Sequence, residues 1–370
     1  MSLYLVERKS VVRNLILVLA LFVILTSSSI LSVSAFAASS PQPAIFPLAT
    51  YPITLTSPNA QSDGMFGTSA ANTGKLAIVG ALGETADGYS YAGHAYIYNA
   101  VTGKLIQNLT SPNAQSYGFF GGSVAISGKI VIVGAFGETA DGNSGAGHVY
   151  VYNVATGKLI QTLTSPNAQS DGYFGLSVAN SGKLVVVGAP YETANGYSQA
   201  GHAYIYNEAT GKLIQNLTSP NAQSDGYFGT SVTISGKLVI IGASGETVDG
   251  YSLAGHAYVY NAISGKLIQT LTSPNAQSYG QFGQSLAISG KLAIVGACCE
   301  TADGYSYAGH AYVYNAATGK LLQNLTSPNP QSDGVFGVSV WISGKLAVVG
   351  ALGETADGYS GAGHAYIFKV

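Results

Sequence analysis

The sequence predicts an all-β protein: a six-bladed β-propeller of four-stranded antiparallel blades, its ring closed by an N-terminal strand that completes the last blade. Two observations support this fold class. First, all six histidines recur at one spacing of 54 residues, as His94, His148, His202, His256, His310 and His364. Second, each unit of that length contains four short β-like runs separated by Gly, Asn, Asp and Pro, without helical periodicity. Six units without insertion or deletion predict six equivalent blades.

The composition favours strands and turns over helices. Of 370 residues, 47% are hydrophobic, 9% are charged and 48 are glycine. So low a charged fraction argues against a disordered chain or a coiled coil. The formal net charge is −2, and both arginines, Arg8 and Arg13, lie near the N-terminus. Because the rest of the chain offers phosphates no guanidinium group, we expect no nucleic acid among its partners.

Residues 1–37 are typical of a secretory signal peptide. Basic residues precede an apolar run from Leu15 to Leu25, and Ala35-Phe36-Ala37 provides a small-x-small cleavage site. The alternative is an uncleaved membrane anchor, although a polar stretch that starts at Thr26 interrupts it. We therefore predict a secreted or cell-surface protein with no membrane span after signal cleavage. Residues 38–49 are predicted to be a linker, and residues 50–370 the propeller.

The second unit shows how the strands of a blade are predicted. Residues 123–126 and 130–133 form two runs joined by the polar turn Ser127-Gly128-Lys129. The run over 130–133 is apolar throughout, as expected of a strand buried on both faces. A long loop then leads to a third run over 149–152, and a Thr-Gly turn leads to the fourth over 158–164. These four runs are expected to pair in order as one antiparallel sheet.

The two ends of the chain complement each other. The last unit stops at Val370 after its third strand, while Thr50–Pro58 aligns with the fourth strand of the other units. With the three missing positions added, residues 50–370 fill six complete periods. We therefore expect the N-terminal segment to complete the last blade, which would remove the exposed edges of an open array.

The units resemble the FG-GAP repeat, the blade of the integrin alpha-subunit propeller and of many secreted microbial proteins. Phe174-Gly175 before a first strand and Gly188-Ala189-Pro190 after a second strand carry the resemblance, which extends over residues 50–370. The resemblance implies a propeller outside the cell. Integrin-type repeats also carry a D-x-D-x-D-G calcium loop between the first and second strands. Here only Ser127-Gly128-Lys129 and its counterparts occupy that place, so integrin-type calcium loops are not expected.

The charges are predicted to sort to opposite rims of the disc. In this topology the two hairpin turns of each blade lie on one rim, here the lysine rim, and the other connections lie on the acidic rim. All twelve lysines after the signal peptide fall on the lysine rim, with Glu208 the one acid among them. A disc polarised in this way steers charged partners. The candidate binding residues on the acidic rim are Glu84, Asp87, Glu138, Asp141, Glu192, Glu246, Asp249, Glu300, Asp303, Glu354 and Asp357.

The positions at which the same polar residue recurs in the repeats each allow a structural and a functional interpretation. The histidines can cap a strand or bond the nearby acidic loop, or they can form a metal-binding or pH-sensing ring. The Glu-x-x-Asp-Gly loops can be Asx-type turns, or they can supply oxygen ligands to a cation. We favour the structural interpretation of both, so we expect no cofactor, with calcium as the alternative. Tyrosine pairs such as Tyr150 and Tyr152 are expected to pack between blades.

The two cysteines are adjacent in sequence. Cys298 and Cys299 cannot join distant segments, and the C-x-x-C spacing of metal and redox sites is absent. We expect two free thiols or a local strained disulfide.

Three sequons fall on fourth strands, which are the outermost strands of their blades. They begin at Asn108, Asn216 and Asn324, and each has the form Asn-Leu-Thr. The outer edge is therefore a candidate for glycosylation in a host that has the machinery.

The repeats argue against an enzyme, because a catalytic site brings together different residues in different roles. Six near-identical blades instead offer the same residues six times. We expect a non-catalytic propeller that binds an extracellular protein or glycan through its acidic rim, in adhesion or envelope scaffolding. The alternative is a multivalent lectin that binds glycans between neighbouring blades. It would use the loop tyrosines Tyr89, Tyr197, Tyr251, Tyr305 and Tyr359.

Overall fold

The computed structural model describes residues 52–370, which form a six-bladed β-propeller without helices. The predicted signal peptide and linker lie outside the described residues. Twenty-three strands build six antiparallel sheets, each of which pairs its strands in chain order. The prediction of an all-β, six-bladed propeller is confirmed. No helix within residues 52–370 is long and apolar enough to cross a membrane.

The strands follow the repeat closely. Blade 1 contains β1 (Phe66–Asn72), β2 (Leu76–Ala81), β3 (His94–Asn99) and β4 (Leu105–Thr110). Blade 2 contains β5 (Phe120–Ser127), β6 (Ile130–Ala135), β7 (His148–Asn153) and β8 (Leu159–Leu163). Blade 3 contains β9 (Ser177–Ser181), β10 (Leu184–Ala189), β11 (His202–Asn207) and β12 (Leu213–Thr218). Blade 4 contains β13 (Phe228–Ser235), β14 (Leu238–Ala243), β15 (His256–Asn261) and β16 (Leu267–Thr272). Blade 5 contains β17 (Leu286–Ser289), β18 (Leu292–Ala297), β19 (His310–Asn315) and β20 (Lys320–Thr326). Blade 6 contains β21 (Ser339–Ser343), β22 (Leu346–Ala351) and β23 (His364–Lys369).

The hydrophobic core lies between the blades, because one flat sheet cannot enclose a core by itself. Ile78 and Ile97 of blade 1 pack in one cluster with Phe120 and Tyr150 of blade 2. Equivalent clusters join the following blades. The second and third strands of the internal blades are buried on both faces, which explains their continuous apolar runs. Each blade is therefore stabilised mainly by its neighbours.

The seam between the last and first blades differs from the internal boundaries. At an internal boundary, a Cβ on Gly121 would lie 2.2 Å from the His94 carbonyl oxygen of the preceding blade. The equivalent Gly67 of blade 1 meets no atom within 4 Å. Side chains of β23 are correspondingly exposed, and Ile367 is 62% exposed. The last blade therefore lacks the close cover that the others receive.

The N-terminal segment performs only part of its predicted role. Leu55 packs on blade 1, and the Tyr98 hydroxyl donates to the Thr56 carbonyl oxygen at 2.9 Å. These contacts match those of a fourth strand with the blade that follows it. The ladders within residues 52–370, however, do not pair this segment with β23, and the sixth sheet has three strands. Among the described residues the segment thus covers blade 1, and none of its residues pairs with the outer edge of blade 6, where the sequence predicted a closing strand.

Candidate functional site

The loops of the acidic rim are built around tight two-residue turns. Ala86 and Tyr89 exchange backbone hydrogen bonds of 3.2 and 2.9 Å across Asp87 and Gly88. Those two central residues have φ angles of 50° and 82°. Positive φ at both positions defines a type I′ turn, for which Asp-Gly and Asn-Gly are the preferred pairs. The same bridge occurs in all six blades, and blade 3 places Asn195 where the others have aspartate. The backbone alone therefore explains why this column is Asp or Asn.

The glutamates of these loops are not on the surface. Glu84, Glu138, Glu192, Glu246, Glu300 and Glu354 are all 0% exposed. The expectation that they line a binding rim is wrong, because each loop folds its glutamate inward between two blades. We call these six residues the anchor glutamates. Of the predicted binding residues, the structure leaves the aspartates at the surface: Asp87, Asp141, Asp249, Asp303 and Asp357.

Hydroxyl groups from two neighbouring blades bond the anchor glutamates. In blade 2 the Tyr150 hydroxyl donates to Glu138 Oε2 at 2.6 Å, and Ser111, which follows the last strand of blade 1, donates to Oε1. The tyrosine bond recurs in the other five blades at 2.5 Å, and the serine bond recurs in three of them. Charge-assisted bonds of this kind are what a buried carboxylate needs. Because Ser111 belongs to the preceding blade, the anchor glutamate ties two blades together.

The histidines lie beside the anchor glutamates, as one of the two interpretations predicted. His148 Nδ1 is 3.0 Å from Glu138 Oε2, and the other five pairs span 2.8 to 3.2 Å. Each imidazole also stacks on the tyrosine that bonds the same glutamate. Burial lowers the pKa of His94 below its usual 6.5, while the nearby Glu84 carboxylate opposes this shift. Burial therefore favours the neutral imidazole at this position.

The second tyrosine of each pair also contacts the neighbouring blade. The Tyr152 hydroxyl donates to the Thr110 carbonyl oxygen of blade 1 at 3.0 Å. Ser123 donates in the other direction, to the Gly175 carbonyl oxygen of blade 3 at 2.7 Å. Burial raises the pKa of Tyr98, the equivalent of Tyr152 in blade 1, to about 12. The expectation that the tyrosine pairs pack between blades is confirmed.

The surface of the acidic rim presents aspartates together with tyrosines. Tyr89 follows the type I′ turn directly, two residues after Asp87. Its counterparts occur in four more blades, and blade 2 carries Asn143 at this place. The five tyrosines are between 45% and 73% exposed: Tyr89, Tyr197, Tyr251, Tyr305 and Tyr359. This repeated Asp–Tyr surface, which we call the loop-tip ring, is the candidate binding site.

The opposite rim carries the lysines. Their hairpin turns lie together, since the Ala100 amide donates to the Lys75 carbonyl oxygen at 2.9 Å. All twelve lysines of the described chain are exposed. Among the described residues, the close contacts between a basic nitrogen and a carboxylate all join a histidine to an anchor glutamate, and none involves a lysine. The lysines and the exposed aspartates therefore face solvent on opposite sides of the disc.

The donor set for a cation is smaller than the sequence suggested. Residues 52–370 contain no group of three His, Cys, Asp or Glu side chains arranged to hold a metal ion. The anchor glutamates are committed to their tyrosine bonds and their histidine neighbours. Among the described residues, only the turn aspartate of each Glu-x-x-Asp-Gly loop therefore keeps a carboxylate of that loop at the surface.

The three sequons are accessible. Asn108, Asn216 and Asn324 lie on β4, β12 and β20, and all three side chains are exposed. Their sites are on the outermost strands, where an attached glycan would project away from the disc. Their glycosylation stays a prediction.

Comparisons with known proteins agree with this geometry. The FG-GAP repeat family matches five segments, residues 104–152, 158–206, 212–260, 266–314 and 321–368. No curated protein is similar enough to count as a relative. Among solved structures, the computationally designed Ika8 protein shares 17% sequence identity with a TM-score of 0.50, over 82% of this chain and 70% of that chain. At this identity the similarity concerns the fold alone. The five matched segments each run from the fourth strand of one blade through the third strand of the next, and they cover most of the propeller, so the chain belongs to the FG-GAP repeat family.

Proposed function

We propose that the protein is a non-catalytic propeller of the cell exterior, secreted or held at the cell surface, that binds a partner through the loop-tip ring. The observation that carries this proposal is the repetition of an exposed tyrosine beside an exposed aspartate or asparagine on the same rigid turn in five blades. Tyrosine supplies a large contact area at a low cost in conformational entropy. A rigid turn lowers the cost further, because the side chain is held in place before binding.

Equivalent sites favour a multivalent partner. Five copies of one weak site gain in total affinity when the partner presents several matching groups at a compatible spacing. An adhesion partner or an envelope layer has this property. Six near-identical blades are also a poor basis for catalysis, since a reaction needs different groups in different roles. The absence of catalysis remains part of the proposal.

The partner is an extracellular protein or a glycan, and one observation favours considering the glycan. Exposed tyrosine rings adjacent to aspartate or asparagine side chains combine an apolar face with hydrogen-bonding groups, which suits a sugar ring. The multivalent lectin is therefore kept as the second candidate function. In both cases the loop-tip ring is the contact surface and the lysine rim is not.

The test compares two sets of substitutions on opposite rims. Purified protein would be labelled and applied to a glycan array and to cell envelopes of the organism that makes it. We expect replacement of Tyr89, Tyr197, Tyr251, Tyr305 and Tyr359 by Ser to abolish binding. As the matched control, replacement of five hairpin lysines by Gln should leave it intact. Binding to the array identifies the lectin, and binding to envelopes alone identifies protein-mediated adhesion. Equal effects of the two sets would refute the assignment of the loop-tip ring.

A further inference from the structure

Blade 5 differs from the other blades at one place beneath the acidic rim. The two residues after β18 are Cys298 and Cys299, and the segment that precedes β17 brings Gln281 and Gln284 against them. Blades 1 to 3 fill this place with a cluster of apolar and aromatic side chains that includes Leu82, Phe119, Phe136 and Leu176. None of the other five units has Cys or Gln at any of the four positions. Four coordinated differences in one contact cluster indicate a local site rather than drift at a single position.

The two sulfur atoms are close and differ in access. Cys298 Sγ lies 3.0 Å from Cys299 Sγ and 2.8 Å from Gln284 Oε1. Cys298 is buried, whereas Cys299 is half-buried and can be reached from solvent. The hydrogen bond with Cys298 lowers the pKa of the Cys299 thiol, and the same bond raises the pKa of the Cys298 thiol. Cys299 is thus the sulfur that an outside reagent meets first.

The place of Cys299 in the loop is one that other blades reserve mostly for glycine. At Gly83 and Gly245, a Cβ would lie 1.9 Å from a backbone carbonyl oxygen of the preceding loop. Both glycine amides also donate to a glycine carbonyl at 3.2 Å. A side chain at this position therefore requires the loop to shift. In blade 5 the Cys299 thiol lies against Cys298.

We propose that Cys298 and Cys299 form a redox-active vicinal disulfide that is made and broken by exchange with low-molecular-weight disulfides and thiols, of which the glutathione couple is the probe. In the forward direction, the Cys299 thiolate attacks one sulfur of the small disulfide and releases one thiol. The Cys298 thiol then loses its proton and attacks the Cys299 sulfur, which releases the second thiol. The protein loses two electrons and two protons, and the small disulfide becomes two thiols.

The covalent geometry makes this bond easy to reduce. Adjacent Cα atoms are about 3.8 Å apart across a trans peptide. Ordinary disulfides span about 4.4 to 6.8 Å between Cα atoms, so a bond between neighbours is strained. Strained and exposed disulfides have higher reduction potentials than structural ones. The pair is therefore expected to change state within the range that a glutathione buffer covers.

The test follows the two thiols by mass spectrometry. The purified protein would be equilibrated in buffers of varied ratio of oxidised to reduced glutathione, then acid-quenched and alkylated. We expect a shift from two alkylated cysteines to none, with the loss of two hydrogens and no retained glutathione. The Cys298→Ser variant should trap glutathione on Cys299. The Cys299→Ser variant should react more slowly, on the order of tenfold, because the remaining thiol is buried.

The wild-type protein alone can refute the proposal. If both thiols remain alkylatable in every buffer, or if glutathione stays attached to wild-type Cys299, the pair does not form an internal disulfide. A disulfide between two chains would also overturn it, and this is visible as a doubled mass under non-reducing conditions. The two serine variants assign the order of attack, and circular dichroism of each variant establishes that it is folded.

Discussion

The difference between the two tyrosines of one strand offers a direct test of the anchor glutamates. Tyr150 and Tyr152 lie on β7, and both are buried. Tyr150 donates to the carboxylate of Glu138 at 2.6 Å, and Tyr152 donates to a neutral carbonyl oxygen at 3.0 Å. Replacing either residue by Phe removes one hydroxyl and keeps the ring. The two variants therefore differ mainly in the charge of the acceptor.

The magnitudes follow from the acceptors. A hydrogen bond to a charged group contributes about 1.5 to 3 kcal/mol to stability, and a neutral one contributes about 0.5 to 1.5 kcal/mol. We expect Tyr150→Phe to lower the free energy of unfolding by about 2 kcal/mol and Tyr152→Phe by about 1 kcal/mol. Blade 6 supports the milder effect, because it has Phe368 at the position of Tyr152. The assay is urea denaturation followed by circular dichroism, with both midpoints compared to the wild type.

A double-mutant cycle separates the charge from the packing. Glu138→Gln places an amide N–H₂ group where one oxygen of the carboxylate accepts a hydroxyl bond. We expect a loss of about 1 to 3 kcal/mol, as for other buried hydrogen-bonding groups left without a partner. When Glu138→Gln is already present, adding Tyr150→Phe should cost much less than it does alone, whereas adding Tyr152→Phe should cost the same. If Tyr152→Phe proves as costly as Tyr150→Phe, or if the two cycles show equal coupling, the carboxylate is not the anchor of the boundary.

Four further predictions concern alkaline pH, acidic pH, the N-terminal segment and the rims. Burial raises the pKa of Tyr98 to about 12, so the unfolded chain loses its tyrosine protons first as pH rises above about 10. Stability should fall above that pH, and tyrosinate absorbance from the buried pairs should appear only with the loss of circular dichroism. The pKa of His94 is lowered, so its contribution is complete above about pH 6.5 and is lost as the pH falls below that value. The His94→Gln variant should show a shallower loss of stability in this range. Deletion of residues 38–58 should lower the melting temperature, because it removes the segment that covers blade 1. Deletion of residues 38–48 should leave the melting temperature unchanged. Equal melting temperatures of the two truncated proteins would contradict this role of the segment. Adsorption of the protein to a cationic support should weaken as salt is added, since exposed charges are screened over about 10 Å at 0.1 M. Asp→Asn substitutions at the turns should weaken this adsorption, whereas Lys→Gln substitutions at the hairpin turns should not.

The repeat made most of the fold predictable. A constant period placed every strand within a few residues, because each blade obeys the same pattern of apolar runs and Gly turns. The sequence also placed His148 beside its acidic loop. The burial of Glu138 was missed, since loop position and charge both suggest a surface residue. A signal existed in the fixed interval of 27 residues from Ser111 to Glu138, which recurs in every unit. This interval can be interpreted only when the contact between two neighbouring blades is known, and the pattern of strands in the sequence does not show that contact.

The turn aspartates illustrate a second limit. The Asp-Gly pair at residues 87–88 strongly predicts a type I′ turn. This turn alone accounts for the Asp or Asn that recurs at this position of every repeat, so the position needs no binding role to explain it. The pairing of the ends was harder to predict. The alignment of Thr50–Pro58 with fourth strands predicts pairing with β23 and packing on blade 1. The described part of this segment shows the packing on blade 1 and no pairing with β23. Sequence similarity between units does not show which of these two contacts the segment forms.

The bonds between blades have a consequence for how such a chain can change in length. The serine and the glutamate that meet at a boundary are separated by less than one period, and every unit places them at the same pair of positions. A duplication or deletion of one whole 54-residue unit therefore creates no mismatched junction, wherever in the array the genetic exchange occurs. Shorter or longer insertions would misalign donor and acceptor at once. The architecture thus favours growth and loss by whole blades.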